Sequence, residues 1–312
     1  MMSRKPPKTH VAVLMGGWSA ERDVSLSTGA ACAQALNRAG FMVTELDVQR
    51  DICRVLGELQ PDVAFNALHG KWGEDGSAAA ILETLEIPYT HSGLLASALA
   101  MHKEKSKAIF RAAGIPVATS RLVDLEDAAA KHPMPLPYVL KPVSEGSSVG
   151  VHIVTKSANG PVRLILEQRS LYGDQIMAEA FVPGKELTCA VMGNVALGVI
   201  DVHPAAGFYD YQAKYAQGGS VHILPADIAP EVYRKVQRYS LLAHRALGCR
   251  GISRSDFRYD EQEGPDGELV LLEVNTQPGM TPTSLVPELA AHAGHSFEEL
   301  VTWMINDASV NR

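Results

Sequence analysis

The sequence has few cysteines, and they lie far apart. The 312 residues include four, Cys32, Cys53, Cys189 and Cys249. Because none of them belongs to a CxxC pair, this spacing predicts neither a structural zinc site nor a disulfide framework, and it favours a reducing compartment. No apolar run approaches the roughly 20 residues that a membrane-spanning helix requires. We therefore expect a cytoplasmic protein with no membrane partner.

The sequence also lacks an excess of basic residues. Lys and Arg total 28 against 35 Asp and Glu, a formal net charge of −7, and no basic block indicates a nucleic-acid surface. With 46% hydrophobic and 20% charged residues, 26 Gly and 18 Pro, the composition excludes a collagen, a coiled coil and a generally disordered chain. The length predicts about two domains, or three small ones. We therefore expect a globular protein with small-molecule partners.

Strand-like and helical segments alternate over the first hundred residues. We predict strands at 11–15, 41–46, 63–68 and 87–89, with helices between them. This order is typical of a parallel sheet, which binds ligands at the carboxyl ends of its strands. A basic helix and a Pro-rich segment then lead into shorter strands, and longer strands follow. The pattern predicts domain boundaries near residues 100 and 185.

A Gly-Gly turn connects the first predicted strand to the first helix in the segment GGWSAERD at 16–23. A dinucleotide site would be the usual interpretation, but the GxGxxG pattern is absent and Glu21 would repel a pyrophosphate. A carboxylate at this position is better suited to an ammonium group. The structural alternative is that Glu21 only complements the dipole of the helix.

Oxygen-bearing side chains cluster on two predicted strands that flank the turn GPDG at 264–267. Glu273 and Asn275 are two residues apart, so they point to the same face of a strand. A turn centred in the middle of GPDG predicts that Asp256 lies opposite Asn275. Two carboxylates and an amide suit a hard cation such as Mg²⁺, which accepts one or two carboxylates together with phosphate oxygens. The alternative is a solvated face of the hairpin.

Three loops are further candidates for ligand binding. The loop KPVSEGSSVG at 141–150 lacks the Walker A pattern, but its small residues would let backbone N–H groups and Lys141 approach phosphate oxygens. The Tyr-rich loop 208–215 is typical of a mobile lid that carries a cation, and His69 follows the third predicted strand. The structural alternatives are a flexible turn for 141–150, an ordinary surface loop for 208–215 and a buried structural histidine for His69.

Together these residues resemble the D-alanine-D-alanine ligase family of the ATP-grasp superfamily over nearly the whole chain. Five segments carry the resemblance: GGWSAERDVS at 16–25, ALHGKWGEDG at 67–76, KPVSEGSSVG at 141–150, FYDYQAKY at 208–215 and LLEVNTQPGMTPTSLVP at 271–287. The resemblance implies a mixed α/β and α+β, three-domain ATP-grasp fold. Its N-terminal parallel-sheet domain would span 1–102, and the two ATP-grasp domains would span 103–184 and 185–312.

The resemblance also implies the residues that bind ATP and metal. Two Mg²⁺ or Mn²⁺ ions would be held by Asp256, Glu273 and Asn275. The residues expected to bind ATP are Lys103 and Lys141 at the phosphates, Glu186 at the ribose, Glu179, Phe181 and Val182 at the adenine, and Lys214 of the Tyr-rich loop.

The same resemblance implies the residues that bind and join two D-alanine molecules. Glu21 matches the carboxylate that holds the ammonium of the first D-alanine, with Ser147 and Tyr215 as its hydrogen-bonded partners. Arg254 and the backbone N–H of Gly279 match the groups that stabilise the oxyanion of the tetrahedral intermediate. The other expected substrate contacts are His69, Ser284 and Leu285.

The implied reaction is ATP-dependent ligation through an acyl phosphate, which releases ADP and phosphate and supplies D-alanyl-D-alanine to peptidoglycan synthesis. The expected partners are ATP and two molecules of D-alanine, with a homodimer as a candidate assembly. One alternative is D-lactate or D-serine as the second substrate, although Tyr215 favours D-alanine over D-lactate. The others are a catalytically silent nucleotide-binding protein, against which the intact charged residues argue, and a dinucleotide oxidoreductase.

Three residues depart from the family pattern. His102 precedes Lys103 where Asp is common, and Ser255 lies where an aliphatic residue is common. Trp18 stands where a small or hydroxyl residue is usual, and we expect it to narrow or reshape the entrance to the first-substrate site. None of the three removes a charge that the implied reaction needs.

Overall fold

The described residues form three β-sheets, and each sheet comes from one continuous part of the chain. The structure is a computed structural model that describes residues 8–155, 160–204, 219–264, 267–281 and 283–312. The first sheet is parallel and the other two are antiparallel. The predicted combination of a parallel N-terminal sheet with α+β units is therefore confirmed.

The first sheet has the strand order β2-β1-β3. Its elements are β1 (His10–Gly16), α1 (Arg22–Arg38), β2 (Met42–Val48), α2 (Ile52–Leu59), β3 (Val63–Asn66), α3 (Ser77–Thr84) and α4 (Leu94–Met101). β1 is a nearly continuous apolar run because it is the central strand and is buried on both faces. The strand predicted at 87–89 was wrong in extent, since of these three residues only Tyr89 forms β-bridges, to Ala64 and to Ser309. Pro88 has no N–H to donate to a longer ladder.

The second sheet has the order β4-β7-β5-β6 and follows helix α5 (Lys103–Ala112). Its elements are β4 (Ser120–Asp124), α6 (Leu125–Ala130), β5 (Tyr138–Lys141), β6 (His152–Val154), a 3₁₀ helix (Arg163–Gln168), α7 (Arg169–Tyr172) and β7 (Gln175–Ala180). The segment 163–172 is thus a 3₁₀ helix that continues into one α-helical turn. β4 and α6 were not predicted from the sequence, because their segments are short and partly polar.

The third sheet has the order β10-β9-β8-β11-β12. Its strands are β8 (Lys185–Met192), β9 (Val195–Pro204), β10 (Ser220–Ile223), β11 (Ile252–Asp260) and β12 (Glu268–Asn275). The helices that accompany it are α8 (Pro230–Leu247), α9 (Leu285–His292) and α10 (Phe297–Asp307). Across the described residues, we find no helix with both the length and the hydrophobicity that a bilayer crossing requires.

The β11–β12 hairpin forms as predicted, but its register differs from the prediction. Asp256 faces Glu273, and it is Arg254 that faces Asn275. The ladder is offset by a bulge after Asp256, and Asp260 pairs with Glu268, so the turn is centred earlier than the sequence suggested. The prediction that Asp256 lies opposite Asn275 was therefore wrong, and the correction brings the two carboxylates face to face.

The first and third sheets share one hydrophobic core. Val13 of β1 and Leu36 of α1 belong to the same buried cluster as Ile200 of β9, Leu289 of α9 and Leu300 of α10. Residues near the end of the chain extend this contact. Ser309 forms an antiparallel bridge with Tyr89, and the backbone N–H of Arg312 donates to Glu83 at 3.1 Å. The segments 1–102 and 185–312 therefore pack against each other closely.

His102 fills a structural role at the start of α5. It is the N-cap residue, and its Nδ1 accepts a hydrogen bond from the backbone N–H of Lys105 at 3.4 Å. Burial and the neighbouring Lys105 lower the pKa of His102, which favours the neutral imidazole that can accept this bond. Histidine thus caps the helix, and Lys103 begins it.

Two buried histidines are expected to make the fold sensitive to acid. Burial lowers the pKa of His91 to about 3 and that of His244 to about 4. Between pH 6.5 and 4 the unfolded chain binds protons at both positions while the folded protein does not. The free energy of unfolding therefore decreases as the pH is lowered. At pH 5 the expected loss is about 2 kcal/mol for each histidine.

Urea titrations at several pH values test this expectation. The slope of the unfolding free energy against pH measures how many protons the chain takes up when it unfolds. We expect His244→Gln to lower that number by about one between pH 6.5 and 5. His292→Gln on an exposed position of α9 is the matched control and should leave the slope unchanged. An unaltered slope in His244→Gln would contradict the assignment.

Candidate functional site

Two neighbouring clefts share one wall. Cleft 1 spans about 870 Å³ and cleft 2 about 1030 Å³, and both figures include space that is open to solvent. The residues that line both are Lys103, Glu145, Gly146 and Glu273. The rest of cleft 1 comes from α4, from the loops after β1, β3 and β5, from β11 and from the end of β12 with the chain that follows it. Cleft 2 lies between the second and third sheets. A group bound at the shared wall is therefore accessible from both clefts.

Glu21 and Ser147 meet in cleft 1, where the Ser147 hydroxyl donates a hydrogen bond to the Glu21 carboxylate. Glu21 is the N-cap residue of α1, but it makes no side-chain capping bond, and it is only 7% exposed. The carboxylate therefore lines the cleft instead of capping the helix. A buried anion in this position is suited to bind a cationic group of a ligand.

The loop that carries Ser147 has an unusual backbone. Ser147 and Ser148 have φ angles of +51° and +58°, a region that residues other than glycine rarely adopt. Each such residue costs roughly 1–3 kcal/mol and is typical of ligand-binding loops. Turns of this kind direct successive N–H groups into a concave anion site. The backbone geometry thus favours the phosphate-loop interpretation over a plain flexible turn.

His69 is held on both ring nitrogens at the floor of cleft 1. Its Nδ1 lies 3.0 Å from Glu74 Oε1, and its Nε2 lies 3.0 Å from Thr28 Oγ1. Glu74 also accepts a hydrogen bond from the backbone N–H of Gly70 at 3.0 Å. His69 is 4% exposed, so it supplies a fixed ring edge to the cleft.

A charged row runs along the β11–β12 hairpin. Arg254 donates from Nε and Nη2 to the two oxygens of Asp256 at 2.9 and 2.8 Å. Thr188 donates a further hydrogen bond to Asp256 at 2.5 Å, and Glu273 pairs with Lys103 at 3.0 Å. Carboxylates that face each other across strands repel. The two cations offset this repulsion, and they also lie where an anionic ligand would bind.

The same hairpin offers ligands for a hard cation. The carboxylates of Asp256 and Glu273 are cross-strand neighbours, and Asn275 lies on the same face of β12 as Glu273. Within the ranges that the structure describes, no group of three or more His, Cys, Asp or Glu side chains could hold a metal ion unaided. The donor set therefore fits a cation such as Mg²⁺, which takes its remaining ligands from phosphate oxygens and water.

The chain after β12 is anchored to the first sheet. Gln277 accepts a hydrogen bond from Asn66 Nδ2 at 2.6 Å, and its backbone N–H donates to Asn275 Oδ1 at 2.9 Å. Two residues later, a Cβ on Gly279 would lie 3.0 Å from the Ser284 hydroxyl oxygen, so a larger residue would crowd that side chain. Gly279, Ser284 and Leu285 all line cleft 1.

Cleft 2 has a buried charge cluster. Glu179 lies between two lysines: Lys141 Nζ is 2.6 Å from Glu179 Oε1, and Lys107 contacts Oε2. Burial alone would raise the pKa of Glu179, but the two ammonium groups outweigh it and hold the pKa below its usual value. Glu179 is therefore an ionised acceptor that is shared by two donors.

Arg258 contacts the segment between β7 and β8 that lines cleft 2. Its guanidinium donates to the carbonyl oxygens of Val182 and Gly184 at 3.0 and 2.8 Å and lies 3.5 Å from Glu186. It also lies 5.8 Å from the centre of the Phe181 ring. Arg258 thus ties together the segment between β7 and β8 and places the Glu186 carboxylate at the cleft.

Most of the predicted site residues line one of the two clefts. Cleft 1 contains Glu21, His69, Ser147, Arg254, Asn275, Gly279, Ser284 and Leu285, and cleft 2 contains Lys141, Glu179, Phe181, Val182, Glu186 and Asp256. Lys103 and Glu273 line both. Lys214 and Tyr215 lie outside the described residues. Their expected roles, like those of the lining residues, stay predictions.

Several site residues were not singled out from the sequence. Glu145 lines the shared wall, and its carbonyl oxygen accepts a hydrogen bond from Lys103 at 2.7 Å. Burial raises the pKa of Glu145, against the opposing effect of Lys71 and Lys103. Arg258 and Gln277 hold neighbouring segments in place through hydrogen bonds that involve backbone groups, and no sequence motif indicates such bonds. Lys107 follows Lys103 by one helical turn, and this spacing, which places both lysines on the same side of the helix, is the sequence feature that could have identified it.

Trp18 is not among the residues that line the two clefts, and its expected effect on the entrance to the first-substrate site stays a prediction. Its ring lies 4.4 Å from that of Trp72, and Arg50 lies 4.1 Å above it. The aromatic pair and the guanidinium form a cluster beside the first sheet. Trp18 is therefore explained by packing against Trp72 and Arg50.

Comparison with known proteins identifies relatives along the whole chain. The family model for the C-terminus of D-ala D-ala ligase matches residues 109–306. The D-alanine-D-alanine ligase of Methylobacterium radiotolerans is 60% identical, over 97% of this chain and 99% of the relative. That of Xanthobacter autotrophicus is 61% identical, with the same two coverages.

Solved structures agree with these relatives. The D-alanine-D-alanine ligase from Bacillus anthracis in complex with ATP has a TM-score of 0.78 and 30% identity, and the match covers 97% of each chain. The VanG D-Ala:D-Ser ligase from Enterococcus faecalis has a TM-score of 0.78 and 27% identity. That match covers 96% of this chain and 99% of the other.

Proposed function

Because the chain belongs to the D-alanine-D-alanine ligase family, we propose that it joins two D-alanine molecules in a reaction driven by ATP. The observation that carries this proposal is the wall shared by clefts 1 and 2, with Lys103 and Glu273 on it. A terminal phosphate bound at this wall from cleft 2 faces a carboxylate bound in cleft 1. The arrangement thus supports phosphoryl transfer from one cleft to the other.

ATP occupies cleft 2 in this proposal. The apolar side chains of the cleft suit a flat base: Val139, Val149, Val151, Ile153, Phe181, Val182 and Leu272. Glu186 is suited to accept hydrogen bonds from ribose hydroxyls, and Lys141 and Lys103 supply positive charge to the phosphates. The ATP complex of the Bacillus anthracis relative supports this assignment.

The hairpin carboxylates are proposed to hold two divalent ions, Mg²⁺ or Mn²⁺, together with the phosphates. Asp256, Glu273 and Asn275 supply the protein oxygens, and when bound the ions neutralise phosphate charge. Lys103, which contacts Glu273 and lines the shared wall, supplies a positive charge beside the same phosphates. The protein side chains thereby hold ATP with its terminal phosphate directed at cleft 1.

Cleft 1 takes the two D-alanine molecules. Glu21 binds the ammonium of the first, and Ser147, hydrogen-bonded to Glu21, fixes its orientation, with Tyr215 as a further expected partner. The first D-alanine carboxylate attacks the terminal phosphate and forms an acyl phosphate, with ADP as the leaving group. His69, Ser284 and Leu285 are the groups in the cleft that we assign to the second D-alanine.

Peptide bond formation then takes place at the acyl carbon. The free amine of the second D-alanine attacks it, and phosphate leaves with the bonding electron pair. Arg254 and the Gly279 N–H line this cleft and are proposed to stabilise the oxyanion of the tetrahedral intermediate. Because acyl phosphates hydrolyse, the reaction requires a site from which water is excluded.

A phosphate-release assay with a substrate panel tests the proposal. ATP, Mg²⁺ and D-alanine are expected to release phosphate and form one dipeptide for each phosphate, with little turnover when D-lactate or D-serine is the acceptor. The 60% identical relatives favour D-alanine, whereas VanG shows that a similar fold serves a D-Ala:D-Ser ligase. Turnover with D-serine or D-lactate and none with D-alanine alone would overturn the assignment.

The product suggests a place in the cell for this activity. We propose that D-alanyl-D-alanine is supplied to peptidoglycan synthesis and hence to cell-wall formation and cell shape. The four free cysteines, three of them buried, support a reducing cytoplasm as the location. The domain division at 1–102, 103–184 and 185–312 is retained as a proposal, which limited proteolysis tests. A homodimer stays a prediction for light scattering to test.

A further inference from the structure

A fully buried cation lies behind cleft 2. Lys107 is on the same side of α5 as Lys103, one turn later, and its side chain has no exposed surface. Unlike Lys103 and Lys141, it does not line the cleft, so it has no place in the reaction described above. Burial of a charged amine costs several kcal/mol unless a partner compensates it. The only anion that it contacts among the described residues is Glu179.

The position of Lys107 changes the charge of the cleft floor. Glu179 has two oxygens, and each is occupied by a different lysine, Lys141 on Oε1 and Lys107 on Oε2. A pair made only of Glu179 and Lys141 would have no net charge. With Lys107 present the cluster carries a net charge of +1, and Lys141 is the cationic member that lines the cleft, beside Glu179. In a low-dielectric interior this difference acts strongly on a phosphate nearby.

We propose that Lys107 is a positioning residue for nucleotide binding. Because Lys107 and Lys141 share the single carboxylate of Glu179, that carboxylate offsets only part of the positive charge of Lys141, and the remainder attracts the phosphate oxygens of the nucleotide. The proposal rests on the proposed function, because it takes the phosphate-bearing ligand to be a nucleotide. It assigns a role to a residue that touches neither the nucleotide nor the amino acids.

Nucleotide titrations test the proposal in the absence of D-alanine. At pH 7, Lys107→Met is expected to weaken ADP binding at least about tenfold, because the cluster loses its net positive charge. Adenosine, which has no phosphates, should lose less than about threefold in affinity. The matched control is Lys105→Met, which replaces an exposed lysine of the same helix and should leave both affinities unchanged.

Repeating the Lys107→Met substitution in a protein that also carries Glu179→Gln separates the effect of the Lys107 charge on ADP affinity from a general loss of packing. Without its carboxylate partner, buried Lys107 is expected to lose its proton, so Lys107→Met should then change ADP affinity by less than about threefold. Equal weakening of ADP and adenosine binding by Lys107→Met, or an undiminished effect in the Glu179→Gln background, would overturn the proposal. Failure of the wild-type protein to bind ADP would instead contradict the proposed function.

A pH titration of the wild-type protein gives a test that does not depend on any variant folding. Burial lowers the pKa of Lys107 to about 8, with Glu179 of β7 raising it and Lys141 of β5 and Arg111 of α5 lowering it. ADP affinity is therefore expected to fall between pH 7 and 9 with a midpoint near 8, while adenosine affinity stays level. A flat ADP profile over that range would count against the role of Lys107.

Discussion

Replacement of Arg254 by methionine is expected to lower kcat about 10²–10³-fold, the usual loss when one oxyanion-stabilising donor is removed. Methionine keeps the volume of the side chain but offers no N–H group to a developing negative charge. Arg254 is well placed for this role, because Asp256 holds its Nε and Nη2 and thereby fixes the guanidinium at cleft 1. The measurement is phosphate release at saturating ATP and D-alanine.

The effect of Arg254 on the reaction must be separated from its effect on Asp256. The assay is therefore repeated at increasing Mg²⁺ concentration, which would restore activity if the variant only weakened metal binding at the hairpin. Arg250→Met is the matched control, since this exposed arginine lies just before β11, and its kcat should stay within about twofold. A kcat for Arg254→Met near that of the control would contradict the assignment.

The second large effect is expected at Glu273. Glu273→Gln keeps the shape of the side chain but removes the charge that opposes Asp256 across the hairpin and pairs with Lys103 at 3.0 Å. Because Mg²⁺ depends on carboxylate ligands, kcat at physiological Mg²⁺ should fall more than about 100-fold. The apparent Mg²⁺ requirement should rise as well, which a titration of activity against Mg²⁺ measures.

Glu268→Gln provides the comparison for this experiment. Glu268 is exposed at the other end of β12, away from the clefts, so its loss should change activity by less than about twofold. Cells that depend on this protein for growth should survive with Glu268→Gln and fail with Glu273→Gln. Normal growth with Glu273→Gln would favour a catalytically silent nucleotide-binding protein.

The parts of the fold that depend on local pattern were predictable from the sequence. The central strand β1 and the long helix α8 have continuous or periodic apolar positions, and such patterns determine element type. β4 was missed because a short strand with polar positions is stabilised by its neighbour β7 and has little signal of its own.

Register was harder to predict than the elements themselves. The sequence placed the acidic residues on one hairpin but could not show the bulge after Asp256, which follows from how β11 and β12 fit together. Lys107 and Arg258 were missed for a related reason. Their importance comes from contacts with Glu179 and with the carbonyl groups of Val182 and Gly184, and these partners lie far away in sequence.

The bridge between Ser309 and Tyr89 has a consequence for the order in which the protein folds. Arg312 and Gln277 also contact the first sheet, through Glu83 and Asn66, across more than 200 residues of chain. While the ribosome is still producing the third sheet, the first sheet lacks these partners and part of its hydrophobic cover. We therefore expect the N-terminal part to remain incompletely stabilised during synthesis and to reach its final stability only after the third sheet and the segment 309–312 have left the ribosome.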